Sequence, residues 1–135
     1  MDKSSVRVPA TGGWTFVVGR EFELLDNRDS VQAVHGTRIV YVSSFGAGTR
    51  DVPVRSAQLR TTAERALGSG ERLSHIGQSV EGDAEISRDE DAWRLRGTMC
   101  TDGTFATCAI DFQDAADRDW AVEVWRSLRW DGVAA

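Results

Sequence analysis

The stretch AWRLRGTMCTDGTFATCAIDF (residues 92–112) decides how this chain folds. At its centre stands Asp102-Gly103, a pair suited to a two-residue hairpin turn whose central positions need positive φ. A turn placed there pairs Trp93 with Phe112, Leu95 with Ile110, Gly97 with Cys108 and Met99 with Ala106 on one face. On the other face it pairs Arg94 with Asp111, Thr98 with Thr107 and Cys100 with Phe105. One face is apolar and the other carries an ion pair. A slip of one residue would mix the two, so the register is strongly specified.

The segment before the hairpin extends the same pattern. A four-residue loop over Arg88–Asp91 sets Ile86 against Trp93 and Ala84 against Leu95 on the apolar face. It also sets Glu85 against Arg94 and Asp83 against Arg96, opposed charges that contribute roughly 0.2–1 kcal/mol per pair. The acidic series Glu81, Asp83, Glu85, Asp89, Glu90 and Asp91 is therefore expected to be a solvated strand face and turn. It lacks the spacing and the glycine of a calcium loop. Residues 72–87 read as one or two strands.

Downstream, Asp114 is placed to cap a long C-terminal helix running to about Trp130. At 100° per residue, Ala116, Ala121, Val124, Trp125 and Leu128 share an arc with Trp120, and Val122 alone is misplaced. That stripe should pack on the apolar face of the hairpin. Trp120, Trp125 and Trp130 step around the helix and do not line one face, so a ligand cage is not expected. Trp125 lies at the edge of the stripe, and Trp125 and Trp130, with Trp14, are expected to form an aromatic rim open to a partner.

Upstream, residues 1–12 read as a loose lead-in. Trp14, Phe16 and Val18 alternate as a strand that Phe22 and Leu24 continue after Gly19. A turn over residues 26–30 leads to an extended region from Val31 to Phe45, which Gly36 interrupts. The loop Gly46–Pro53 then feeds a shorter central helix capped by Asp51, with Pro53 in its first turn and Leu59, Ala63, Ala66 and Leu67 as a modest apolar stripe. Gly68-Ser69-Gly70 ends it. These readings predict an α+β fold: a curved, mainly antiparallel sheet of about six strands, with a long C-terminal helix and a shorter central helix packed on it.

Composition bounds the function. The chain has 135 residues, of which 41% are hydrophobic and 27% charged, as expected of one soluble domain spanning residues 1–135. Its longest uninterrupted apolar run, Ile39 to Val42, is far short of the ~20 residues a membrane span requires. Net charge is −5, and no basic cluster is apparent along the chain, so neither nucleic acid nor an anionic membrane is an expected partner. All cations but Lys3 are arginines, scattered as the codon bias of a GC-rich bacterial genome would leave them. No apolar signal segment follows Met1, so a cytoplasmic location is expected. Cys100 and Cys108 point to opposite faces of the hairpin, which excludes a disulfide between them, and their spacing fits no common zinc pattern. No metal or cofactor is expected.

Two sets of residues are candidates for ligand binding. Gly48, Thr49 and Arg50 precede the central helix, where loop amides and a guanidinium could hold an anion. His35 and His75 could supply acid–base chemistry if the fold brought them to one cleft with an Asp or with Ser74. No nucleophile, phosphate-loop or dinucleotide motif frames either set. The expected function is that of a non-catalytic protein-interaction module or self-associating domain. The alternative is a small-molecule-binding protein or enzyme with its site in a sheet–helix cleft.

Overall fold

The computed structural model describes residues 4–27, 29–49 and 51–132. Its strands are β1 (Ser5–Pro9), β2 (Trp14–Gly19), β3 (Glu23–Asp26), β4 (Ser30–His35), β5 (Arg38–Gly46), β6 (Glu71–Ile76), β7 (Glu81–Asp89), β8 (Ala92–Thr101), β9 (Thr104–Phe112) and β10 (Arg129–Trp130). Two helices, α1 (Ser56–Glu64) and α2 (Arg118–Arg126), join them, the second after a 3-10 turn at Ala115–Asp117. Seven strands form one antiparallel sheet in the order β3-β4-β5-β9-β8-β7-β6, and β1-β2-β10 form a second, three-stranded sheet.

The β8–β9 hairpin has the register expected from Asp102-Gly103, including Leu95 opposite Ile110 and Arg94 opposite Asp111. The turn conformation differs in one respect: Gly103 takes φ 84° while Asp102 does not adopt positive φ. The preceding turn is tighter than expected. Glu90 adopts φ 50°, so Glu90-Asp91 alone connect Asp89 to its partner Ala92. The β7–β8 register is thereby offset by two residues, with Ile86 opposite Leu95, Ala84 opposite Gly97 and Glu85 opposite Arg96. An even offset leaves every side chain on its expected face.

The inner face of the large sheet carries Val40, Val42, Leu95, Met99, Ile110 and Phe112, all buried. It is covered by Trp14, Phe16 and Val18 of β2 and by Ala121, Val122, Val124 and Trp125 of α2. Val122, out of place on an ideal stripe, is buried too, since α2 meets β2 of the small sheet as well as β8 and β9 of the large one. The C-terminal helix is short. Asp114 caps the 3-10 turn, accepting from the Ala116 amide at 2.9 Å, but the chain leaves the helix after Arg126 to pair Arg129 and Trp130 with β2.

Within the lead-in, Ser5–Pro9 form a strand and are not loose. Val6 and Val8 alternate, and β1 pairs with β2 from Ser5 through Pro9. After Gly19 the chain turns, with the Phe22 amide donating to the Gly19 carbonyl at 3.2 Å, and β3 joins the other sheet instead of continuing β2. Gly36 lies in the β4–β5 turn with φ 60°.

Candidate functional site

The outer face of the large sheet is only partly the solvated surface its charges suggested. α1 lies across it over β7 and β8. The helix starts at Ser56, past Asp51 and Pro53, and Asp102 of the hairpin turn accepts from the Ser56 amide at 2.8 Å. Arg60 forks onto Asp83, with Nε to Oδ2 at 2.8 Å and Nη2 to Oδ1 at 3.0 Å, and Ser74 Oγ donates to the same carboxylate at 2.7 Å. Glu85 accepts from the Gly70 amide at 2.9 Å and from Arg96 at 3.2 Å. Asp83 and Glu85 are therefore buried, at 6% and 2% exposure, and not solvated as their strand pattern implied. Arg94 keeps Asp111 as its partner.

The Arg60 guanidinium lowers the pKa of Asp83, and the Gly70 amide lowers that of Glu85, in each case against the opposing effect of burial. A carboxylate with a lowered folded pKa adds stability above its unfolded value and loses it as pH falls through the folded value. The melting temperature is accordingly expected to drop below the ordinary carboxylate values of 3.8 and 4.5. Arg60→Met should cost about 1–2 kcal/mol at neutral pH and flatten that acid-side loss, which thermal melts at a series of pH values would read.

α1 is held by this polar clasp at one side, and none of its residues is buried. Beside the clasp a cleft of about 560 Å³ remains between the helix and β8, β9 and β5. Ala63 of α1 and Ala66 and Leu67 of the turn after it form one wall, and Tyr41, Phe105 and Ala109 are the apolar part of its floor. Ser43, Thr98, Thr107 and Arg96 add polar atoms at intervals. The ring of Phe45, 50% exposed, stacks on Phe105 at 5.3 Å and extends the apolar surface beyond the cleft.

The expected ligand residues do not meet here. His35 ends β4 and His75 lies on β6, five strands apart in the sheet, which is about 24 Å at the usual strand spacing. His35 is exposed, and its ring lies 5.5 Å from that of Phe22. Phe22 in turn stacks on Trp120, over which Arg38 sits while bonding Asp117 at 2.6 Å. This series ties the start of α2 to the β4–β5 hairpin. His75 meets the edge of Trp125 at 6.2 Å on the inner side, and Ser74 faces the opposite way toward Asp83.

Gly48 and Thr49 lie in a closed turn. Gly48 bridges Pro53, the Thr49 amide donates to the Val52 carbonyl at 3.1 Å, and that of Ala47 donates to Gly103 at 2.9 Å. Helix α1 begins further on, so the helix start that an anion would need is not adjacent to them. Arg50 lies outside the described residues. Trp125 is fully buried, its Nε1 donating to the Thr98 carbonyl at 3.1 Å, and so is Trp14; an open rim at either is not found. Trp130 is half-buried, with Nε1 on the Gly12 carbonyl at 3.0 Å.

Both thiols are buried and free. Burial pushes Cys100 up to about 11 and Cys108 up to about 12, far from the thiolate a nucleophile needs. Among the described residues, no helix is long and apolar enough to cross a membrane, and no three His, Cys, Asp or Glu side chains gather as they would around a metal ion.

The cleft had a trace in the sequence. Tyr41, Phe105 and Ala109 are apolar positions on a face otherwise marked by Arg94, Arg96 and Asp111. No protein-family model matches this sequence, and no curated protein shows significant similarity to it.

Proposed function

We propose that this chain is a non-catalytic binding protein whose site is the cleft between α1 and the outer face of β5, β9 and β8. Its ligand is an apolar small molecule with one or two polar groups. One observation carries the reading: Ala63 of α1, with Ala66 and Leu67 just past its end, lines an open cleft of about 560 Å³ against the sheet. Pockets of a few hundred Å³, mostly apolar with a few placed polar groups, are the usual form of small-molecule sites. The absence of a histidine from the cleft lining and the inert state of both thiols favour binding over catalysis.

The test uses the fluorescent apolar probe 1-anilinonaphthalene-8-sulfonate on the full chain. Saturable binding is expected, and Ala63→Trp, which fills the cleft from a helix none of whose residues is buried, should weaken it about tenfold or more at an unchanged melting temperature. Equal binding by the variant, or no saturable binding by either protein, would overturn the reading. The exposed Phe45 supports a second reading, in which the same face docks another copy of the chain. Sedimentation would then show a concentration-dependent mass that Phe45→Ser abolishes.

A further inference from the structure

A second concavity, of about 270 Å³, lies where β1, the carboxyl end of α2 and the turn between β6 and β7 meet. Arg7, His75, Arg126 and Arg129 line it. In a protein of net charge −5 this is a local excess of positive charge. The carboxylate bonded to the group is Asp131, which Arg129 holds through two bonds of 2.9 and 3.1 Å. Arg7 donates instead to neutral oxygens, the Thr15 hydroxyl at 2.9 Å and the Ser127 carbonyl at 3.1 Å. Burial and the neighbouring Arg129 lower the pKa of Arg7 against the opposing pull of Asp131, and burial and Arg126 lower that of His75.

A cation in the last turn of a helix complements the macrodipole, which explains Arg126. It does not explain Arg7 and Arg129, which arrive on strands of the small sheet, nor the imidazole facing them from the far edge of the large one. Like charges held together destabilise the fold unless a counter-charge joins them. We propose that this concavity binds a small oxyanion of the phosphate class, held by the guanidiniums of Arg7 and Arg126 with His75 as a further donor. Guanidinium forks match the paired oxygens of such an anion. A volume of about 270 Å³ also leaves room for several waters, each of about 30 Å³. Other charges near His75 are directed elsewhere: Glu81 on the neighbouring strand turns to the opposite face, where it meets Ser56 and Arg60.

The proposal is tested by following the histidine ring signals in NMR while inorganic phosphate, or phenyl phosphate, is added at constant ionic strength against chloride. His75 is expected to shift saturably and its pKa to rise on binding, while His35, on a distant strand, stays still. Arg126→Gln, at an exposed position, should bind about tenfold more weakly with its melting temperature nearly unchanged. Equal affinity for both phosphates identifies the phosphoryl group alone as the ligand, and preference for the ester shows that the ligand carries an organic part. A His75 signal that moves in proportion to phosphate without saturating, or the same affinity in Arg126→Gln, would overturn the assignment. Neither result bears on the cleft under α1, whose probe and variant are separate.

Discussion

Trp125→Ala is expected to remove about 3–5 kcal/mol of stability, the range for deleting a buried aromatic side chain. A domain of this size has a total stability of only about 5–15 kcal/mol, so the midpoint of denaturation should collapse. Trp125 is fully buried, and its indole donates to the Thr98 carbonyl. It also occupies space that Gly97 leaves free: a Cβ there would lie 2.6 Å from Trp125 Cδ1. Trp125→Phe keeps a smaller aromatic ring but removes the N–H that bonds that carbonyl, so about 1–3 kcal/mol should be lost. Trp130→Ala, half-buried at the edge of the small sheet, should cost about 1 kcal/mol. A loss of under about 1 kcal/mol for Trp125→Ala in urea denaturation would mean that this ring is not the centre of the core.

The second large effect is expected at a glycine. Gly82→Ala would place a methyl group 2.0 Å from the Thr98 carbonyl oxygen and 3.0 Å from Met99 Cα. Both are backbone atoms of the paired strand and cannot swing aside. The regular β7–β8 pairing is interrupted here, passing from Glu81–Cys100 to Ala84–Gly97, and Thr98 directs its carbonyl to Trp125 in the gap. The variant should lose about 3 kcal/mol, the upper end of overpacking costs, and should loosen the neighbouring Asp83 clasp on α1. Gly36→Ala is the control. It meets nothing within 4 Å and is strained only by its φ of 60°, so about 1–2 kcal/mol is expected. Equal losses for the two glycines in denaturant melts would show that the close approach at Gly82 is relieved by movement of the strands.

The two faces of the large sheet were readable from residues 80–112 because alternation and turn chemistry act within a few residues of each other. Even the misjudged turn at Glu90-Asp91 changed partners without changing faces, since a two-residue offset preserves the pleat. The shortness of the last helix was not readable in the same way. The apolar run through Leu128 suits a helix, but pairing of Arg129 and Trp130 with β2 competes with it and wins.

The candidate sites were harder to read. Tyr41, Phe105 and Ala109 were visible as apolar exceptions on a polar face, yet nothing local says that α1 stands over them held by an Arg60–Asp83 bond. Arg7 is more than a hundred residues from Arg126 and Arg129 in the chain and joins them only when two sheets and a helix end converge.

By itself, the sequence determined which side chains of β7, β8 and β9 share the apolar face, where the β8–β9 hairpin turns, and that the two sulfurs cannot join. Those properties depend on side-chain alternation and on backbone torsions, which neighbours in the chain control. Tertiary structure alone decided that Asp83 and Glu85 are buried, that Asp83 clasps α1 through Arg60, that Trp125 is core and not rim, and where a cleft and a basic concavity open. Those features depend on contacts between residues far apart in the chain, whose free energies are settled only when every element has docked.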